Sequence, residues 1–198
     1  MICTIQIATR LRPGRLMRTV QSVMDSANHP ENIEFILRCD GDDSATIALI
    51  PDLVRMGNVR IIVGNSLGYA GYPRYHWEMC QLAEGEWIWW FDDDALVKES
   101  SKGWDDRLFD APKTGFIVQP EINQLGGSGY QRDSSCPFFF LPNGWWKEFG
   151  IKQFDQPGDA WVFSQLREQR KWGTHYIPGL WILHERLFTD PLWKERNL

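Results

Sequence analysis

Three consecutive aspartates, Asp92, Asp93 and Asp94, are the residues of this sequence with the clearest chemical potential. They follow the apolar run of the segment EWIWWFDDDALV, residues 86–97. Two carboxylates ~5 Å apart repel by roughly 3 kcal/mol at an effective dielectric constant of ~20, so a bound cation would stabilise the cluster. Carboxylate oxygens are ligands that Mg²⁺ and Mn²⁺ prefer. The cluster therefore predicts a divalent-metal site that holds an anion. The alternative is a solvated turn with an acidic helix cap, because Asp is also favoured there.

Other side chains of ligand type occur at three further places. The CDGDD segment holds Asp40, Asp42 and Asp43, the GDAW segment holds Asp159, and the WILHE segment holds His184. On local sequence alone, Asp159 suits a plain helix N-cap as well as a general base. His184 suits a structural histidine as well as a metal ligand. The arginines of ATRLRPGR, residues 8–15, form either a solvated cluster or contacts to phosphate.

Alternating strands and helices must position these side chains. Apolar and β-branched runs predict strands over residues 2–8, 33–37, 59–63 and 87–91, and helical spacing predicts helices that begin near Pro13 and Pro73. This order implies right-handed crossovers and a largely parallel sheet. Because ligands bind beyond the carboxyl ends of such strands, the CDGDD segment and the three aspartates are expected together at one edge. That convergence strengthens the prediction of a metal site.

The second half of the chain predicts shorter and less regular elements. Strands are predicted over residues 116–119, 138–141, 174–177 and 180–183, and a helix over 158–171. His184 directly follows the last of these strands. A glycine-containing loop over residues 123–133 is either a lid that orders over a ligand or a long connection.

The composition is that of one globular domain, with 198 residues, 43% hydrophobic and 24% charged. A net charge of −5 without a basic run argues against a nucleic-acid partner. Neither a transmembrane run nor a signal-peptide pattern is present in the sequence, so we expect a cytoplasmic protein. Four cysteines without a CxxC pair disfavour a structural zinc site and indicate a reducing compartment. Eleven tryptophans favour an aromatic core, with sugar-stacking platforms as the alternative.

The motifs in their order along the chain resemble those of GT-A glycosyltransferases, and in particular the inverting nucleotide-sugar enzymes called family 2. The resemblance rests on ATRLRP after the first strand, CDGDD after the second, the DxD pattern of residues 92–94, and the segment GDAWVFSQLREQRKWGTHYIPGLWILHE. It implies an α/β fold of GT-A type, in which a Rossmann-like, mainly parallel central sheet is flanked by helices and accompanied by a smaller mixed acceptor-side sheet. It also implies a single domain over residues 1–198, with a nucleotide-sugar-binding half, 1–97, and an acceptor-binding half, 98–198.

The resemblance assigns roles to the ligand-type residues. Asp94 would bind the metal, Mn²⁺ or Mg²⁺, directly, and His184 would complete the coordination. Asp92 would face the ribose of the donor or reach the metal through a water molecule. Asp93, the middle residue, would contact the cofactor or support its neighbours. Asp159 would act as the catalytic base.

Further positions match contacts to the donor nucleotide. Thr9, Arg10 and Asp40 match positions that hold the base and the ribose. Arg74, or the loop around Asn65 and Tyr69, would lie near the donor. These side chains would act by hydrogen bonding and charge, and the metal would neutralise the diphosphate.

The chain departs from the family pattern in three places. CDGDD stands where the family has DDGS, so Asp42 is a second candidate for the nucleotide contact. Gly158 stands where the family has Glu before the base, which leaves Asp159 as the candidate and Asp155 as the nearby alternative. The QxxRW motif of processive polysaccharide synthases is absent from the sequence, so a single-addition enzyme is expected.

The resemblance therefore implies a metal-dependent, inverting glycosyltransferase. It would move one sugar from a UDP- or GDP-linked donor to a hydroxyl group of a glycan or other acceptor. A sugar-nucleotide pyrophosphorylase is one alternative, although its first loop should be rich in glycine and ATRLRPGR has a single one. A non-catalytic carbohydrate-binding protein is the other alternative, and the tryptophan content would suit it. The sequence has no P-loop and no GxGxxG after its first strand, which argues against those nucleotide-binding folds.

Overall fold

The computed structural model describes residues 1–68, 71–124, 130–131, 138–145 and 164–185. The strands in these ranges are β1 Cys3–Thr9, β2 Ile33–Asp40, β3 Val59–Gly64, β4 Trp87–Asp92, β5 Ala95–Val97, β6 Phe116–Gln124, β7 Tyr130–Gln131, β8 Phe140–Pro142 and β9 Gly173–His184. The α-helices are α1 Pro13–Ser26, α2 Ser44–Ile47, α3 Ile50–Arg55, α4 Tyr72–Leu82 and α5 Trp104–Phe109. Short 3₁₀-helices cover Pro30–Asn32 and Glu99–Ser101, and a π-helix covers Ser164–Gln169.

All these strands belong to one sheet with the order β3-β2-β1-β4-β8-β6-β9-β5, and β7 pairs with β6 at the side. Strands β1 to β4, β6 and β9 run in one direction, whereas β5, β7 and β8 run in the other. The mainly parallel sheet with flanking helices confirms the predicted α/β fold. The mixed strands of the second half continue the central sheet, because β8 pairs with both β4 and β6.

The register of the parallel strands brings the predicted site segments to one edge. Thr9 lies opposite Cys39, and Ala8 lies opposite Asp92. Asp40 ends β2 beside Gly64 of β3. The carboxyl ends of β1, β2 and β4 therefore meet, as expected for successive parallel strands joined by helical crossovers.

Aromatic side chains fill the core beneath this edge. Every residue of β1 except Ala8, every residue of β2, and Trp87 to Phe91 of β4 are buried. Trp89 stacks on Phe140 with ring centroids 4.3 Å apart and lies 4.9 Å from Trp104. Truncating one such side chain to Ala typically costs on the order of 3–5 kcal/mol. Five described tryptophans, at positions 87, 89, 90, 104 and 145, are buried, so they form core rather than exposed platforms.

The strand that carries His184 differs from its prediction. Residues 173–184 form one strand, β9, instead of two short strands. Its register on β6 shifts, because Tyr176 lies opposite Gln119 whereas Trp181 lies opposite Glu121. Between Gln119 and Glu121 of β6 lies Pro120, which has no N–H to donate to the neighbouring strand. On β9, Gly179 has a φ of +70°, which favours glycine. The strand therefore loops outward and returns to the sheet before His184.

The predicted helix over 158–171 lies mostly outside the described residues, and its described part is the π-helix Ser164–Gln169. Leu166 of that segment is fully buried, and its carbonyl accepts a hydrogen bond from the Trp172 N–H at 2.9 Å. Among the described helices, none combines the length and the apolar character that a membrane crossing requires.

Candidate metal and nucleotide site

The three aspartates lie where the chain leaves the sheet. Asp92 is the last residue of β4, Asp93 and Asp94 form the turn that follows, and β5 begins at Ala95. Strand β5 pairs antiparallel with β9, and Ala95 lies opposite His184. This pairing places the His184 Nε2 atom 3.2 Å from an Asp94 Oδ1 atom. The β5–β9 ladder thus joins the aspartate turn to the end of the chain's last described strand.

Asp92, Asp94 and His184 form a cluster with the composition of a metal site. Each offers a ligand atom, and these atoms lie within 4.8 Å of one another. The Nδ1 atom of His184 is buried and has no hydrogen-bond partner among the described residues. Two carboxylates and an imidazole suit Mn²⁺, and the carboxylates also suit Mg²⁺. The residues present therefore fit the predicted divalent cation.

The environment keeps Asp94 ionised, as a metal ligand must be. Burial raises the pKa of Asp94. The hydrogen bond and charge of His184, with the charges of Arg12 and Arg15, outweigh burial and hold that pKa below its usual value. The Asp94 carbonyl also accepts a hydrogen bond from the Glu185 N–H at 2.9 Å, which fixes the turn against the chain after β9.

Asp93 has different partners from its two neighbours. Its Oδ2 atom accepts a hydrogen bond from Thr9 Oγ1 at 2.8 Å, and its Oδ1 atom accepts one from Arg12 Nη1 at 2.8 Å. Burial, only partly offset by Arg12 and Thr9, raises the pKa of Asp93 to about 6. Thr19 of α1 donates to the Asp93 and Ala95 carbonyls. The middle aspartate therefore ties the turn to the β1–α1 loop, which matches the supporting role; a cofactor contact stays a prediction.

The second acidic segment binds the first loop through Arg10. Arg10 Nη1 donates to Asp40 Oδ2 at 2.8 Å and to Asp42 Oδ1 at 2.6 Å, and Nη2 reaches Asp42 Oδ2 at 3.0 Å. The hydrogen bonds from Arg10 lower the pKa of Asp42. Asp40 also accepts from the Tyr75 hydroxyl at 3.0 Å. The structure thus brings three predicted nucleotide contacts together, and Tyr75 joins them.

Asp43 is a structural residue rather than a ligand. It is fully buried and caps α2, because its carboxylate accepts from the Thr46 N–H at 3.1 Å and from the Thr46 hydroxyl at 2.5 Å. It also accepts from the Leu11 N–H at 2.6 Å. Leu11 has a φ of +56°, a conformation that is unfavourable for a leucine, and its side chain is exposed at the site edge. The D-x-x-T spacing could have signalled the cap; no sequence signal marks Leu11.

Two further side chains shape the site: Tyr72 of α4, which the sequence did not indicate, and Arg12 of the predicted arginine cluster. The Tyr72 hydroxyl of α4 donates to Asp92, and Trp90 Nε1 donates to the same hydroxyl at 3.4 Å. Burial, with the charge of Asp92, raises the pKa of Tyr72, so Tyr72 stays a donor. Arg12, one of the loop arginines, has a side chain only 13% exposed and also lies 3.3 Å from Asp94 Oδ2. The cluster is therefore supported from both α4 and the start of α1.

The loop after β3 is held by a buried arginine. Arg38 of β2 donates to the Asn65 carbonyl at 2.8 Å, and its guanidinium lies 4.5 Å from the centre of the Tyr75 ring. It also pairs with Glu78 of α4 at 3.2 Å. Arg74 lies on the exposed side of α4 and pairs with Glu78 as well. A contact of Arg74 to a donor stays a prediction.

Several predicted residues lie outside the described part of the chain. They are Tyr69, the glycines at 126, 127 and 129, Asp155 and Asp159. The proposed base is therefore not placed relative to the metal cluster, and its role stays a prediction.

Comparison of the sequence with models of protein families finds no match, and comparison with curated proteins finds none either. Solved structures do match. The crystal structure of S. aureus TarS 1-349 matches with a TM-score of 0.72 at 11% identity. The aligned region covers 93% of this chain and 60% of the TarS chain. The same fragment in complex with UDP-GlcNAc gives 0.75 at 10% identity, covering 98% and 61%. The complex with UDP gives 0.73 at 10% identity, covering 95% and 61%.

These similarities show a shared GT-A-like α/β fold. The identity is too low to carry an activity from one protein to the other. The chain spans about three fifths of the length of the TarS fragment that it matches. The bound UDP-GlcNAc and UDP are ligands of TarS.

Proposed function

We propose that this protein is a metal-dependent glycosyltransferase that moves one sugar from a nucleoside-diphosphate sugar to a hydroxyl acceptor. The observation that carries the proposal is the cluster of Asp92, Asp94 and His184 at the carboxyl edge of a GT-A-like sheet. TarS, which shares the fold, has been crystallised with UDP-GlcNAc and with UDP. We therefore expect a UDP- or GDP-linked donor at the same edge.

Charge stabilisation is the main task of this site. Transfer of the sugar leaves negative charge on the departing nucleoside diphosphate. A divalent cation held by Asp92, Asp94 and His184 would neutralise that charge as a Lewis acid. Tyr72 orients the Asp92 carboxylate by its hydrogen bond, and His184 orients Asp94. These contacts pre-organise the ligands before the cation binds.

The nucleoside would lie beside the second acidic segment. Asp40 is only 3% exposed, and hydrogen bonds from Arg10 and Tyr75 fix the orientation of its carboxylate. Such an arrangement favours recognition of a base or a ribose by hydrogen bonding. Thr9 supports this region indirectly, because its hydroxyl binds Asp93.

The acceptor hydroxyl needs a base to remove its proton. We assign this step to Asp159, because it matches the position of the catalytic base in the family that the chain resembles. A single carboxylate that activates the acceptor opposite the leaving group gives inversion. Asp155 is the alternative. Trp104 and Trp145 of the predicted acceptor half are buried, so these two do not offer exposed platforms for a sugar. The thiols of Cys3, Cys39 and Cys80 are buried, and a cytoplasmic location stays a prediction.

The function is tested by incubation with Mn²⁺ and a panel of UDP- and GDP-sugars, with release of nucleoside diphosphate as the measurement. We expect release that requires Mn²⁺. Asp94→Asn should lose metal-dependent nucleotide binding, whereas Asp159→Asn should bind the donor normally and lose turnover by about 10²–10⁴-fold. Asp110→Asn is the matched control, because Asp110 is an exposed residue at the end of α5.

Different outcomes reject different parts of the proposal. A wild-type protein that takes up neither Mn²⁺ nor any nucleotide would refute the enzyme function. Sugar binding without any turnover would favour the carbohydrate-binding alternative, and formation of a sugar nucleotide from a sugar phosphate would favour the pyrophosphorylase. Near-normal turnover by Asp159→Asn would reject Asp159 as the base and direct attention to Asp155.

A further inference from the structure

Arg12 lies on the carboxylates of the candidate metal site. It is the N-cap residue of α1, and its Nη1 atom is 2.8 Å from Asp93 Oδ1 and 3.3 Å from Asp94 Oδ2. The other oxygen of Asp94 is 3.2 Å from His184 Nε2. Both oxygens of one predicted metal ligand therefore already have partners, and one of these partners is a permanent cation.

A free divalent cation would meet this guanidinium at close range. The Arg12 and Asp94 side chains are each only 13% exposed, so water screens their charges poorly. Arg15, one turn further along α1, adds positive charge near Asp94. A metal ion that binds Asp94 must therefore share its carboxylate with Arg12 and face a like charge.

A bound diphosphate would turn the repulsion between Arg12 and the metal ion into a favourable arrangement. Its oxygens can contact a metal ion and a guanidinium at the same time, and the planar guanidinium matches phosphate geometry. We infer that Arg12 weakens binding of a free divalent cation at Asp92, Asp94 and His184, and couples metal uptake to a nucleoside diphosphate. This inference rests on the proposed function. Because coupling is reciprocal, the metal must strengthen diphosphate binding by the same factor.

The test measures Mn²⁺ binding by the loss of the free Mn²⁺ signal in electron paramagnetic resonance, with and without UDP. A protein-free titration corrects for Mn²⁺–UDP complexes. We expect Arg12→Gln to bind Mn²⁺ alone about tenfold more tightly than wild type and to lose about tenfold of the enhancement by UDP, within the usual range of couplings between sites. Arg12→Lys, which keeps the charge, should bind Mn²⁺ alone within about threefold of wild type.

Arg18→Gln is the matched control, because this substitution removes the same charge from the same helix. Arg18 is an exposed residue that pairs with Glu185 at 2.9 Å. It should bind Mn²⁺ as wild type does. Far-UV circular dichroism checks that each variant is folded. If the glutamine variant is not, Arg12→Met, which keeps the side-chain length, takes its place with the same expectation.

The inference is overturned if removal of the Arg12 charge leaves Mn²⁺ affinity without UDP unchanged or weaker, or if Arg12→Lys gains as much as Arg12→Gln. In those cases a wild-type protein that binds Mn²⁺ and UDP still agrees with the proposed function. A wild-type protein that binds neither Mn²⁺ nor UDP overturns the inference and the proposed function together.

Discussion

The three consecutive aspartates show how strongly position within a turn determines the role of a residue. Asp92 binds Tyr72 of α4, Asp93 binds the β1–α1 loop, and Asp94 binds His184. The partners that each carboxylate meets across the turn therefore explain why the candidate metal cluster contains the first and third aspartates.

A second residue-scale feature is the buried histidine of α4. His76 stacks on Trp90 with ring centroids 3.6 Å apart, and its Nδ1 atom is 3.2 Å from Gln6 Oε1. Burial lowers the pKa of His76 well below its usual value. The structure therefore makes His76 a packing residue of the core.

This burial predicts a pH dependence of stability. Folded His76 stays neutral, whereas unfolded His76 takes up a proton near its usual pKa of ~6.5. Its contribution to the unfolding free energy is therefore fully present above pH ~6.5 and falls by up to about 1.4 kcal/mol per pH unit below it, until the folded pKa is reached. Urea denaturation at pH 7.5, 6.5 and 5.5 should show a larger loss for wild type than for His76→Phe.

Comparison with the variant isolates the histidine. The raised pKa of Asp93 increases the unfolding free energy as the pH falls from ~6 to ~4, which is opposite to the effect of His76. Asp93 is present in both proteins, so its contribution cancels in the comparison. Equal changes with pH in wild type and His76→Phe would show that His76 does not titrate as its burial requires.

At the scale of elements, the start of β4 lies unusually close to β1. The Gly85 N–H donates to the Thr4 hydroxyl at 2.9 Å, just before β4 begins. A Cβ atom at Gly85 would lie 2.4 Å from the Thr4 nitrogen and 2.6 Å from the Cys3 carbonyl carbon. Both are backbone atoms of a buried strand, so they cannot move aside. This contact sets the position of the strand that carries the aspartates.

Gly85→Ala should therefore destabilise the protein by about 3 kcal/mol, the upper part of the usual range for overpacking. Gly14→Ala is the matched control. Gly14 lies in the first turn of α1, and a Cβ there meets nothing within 4 Å, so the change should stabilise the fold by about 0.5–1 kcal/mol. Urea denaturation measures both values. Similar unfolding free energies for the two variants would contradict the close approach of β4 to β1.

At the scale of the whole molecule, the described parts of the two halves share one sheet. Strand β4 of the first half pairs with β8 of the second, and β5 pairs with β9 across the same division. The predicted nucleotide-sugar-binding half and the predicted acceptor-binding half are therefore joined at two ladders. A single domain over residues 1–198 stays a prediction, and it has a direct thermodynamic consequence.

We predict that the protein unfolds in one cooperative transition. Separation of the halves would break the ladders of β4–β8 and β5–β9 and expose aromatic core, so neither half should unfold alone. Differential scanning calorimetry should give a calorimetric enthalpy equal to the van't Hoff enthalpy. Two resolved transitions, or a calorimetric enthalpy well above the van't Hoff value, would show that the halves are independent domains.

The sequence by itself determined the features that depend on neighbours along the chain. Apolar runs and helical spacing marked β1 to β4, α1 and α4 within a few residues, because strand and helix periods are local properties. The order of these elements also implied the parallel sheet and the shared edge of the acidic segments.

Only the tertiary structure decided which side chains meet at that edge. Thr9 and Asp93 are 84 positions apart, and the contact of His184 with Asp94 depends on the register of β5 on β9. Tyr72 carried no motif, and the arginine cluster that contains Arg12 did not indicate which carboxylates it would contact, because both roles come from the aspartates these side chains face. Contacts between distant residues depend on strand order, register and helix packing, which no local pattern contains.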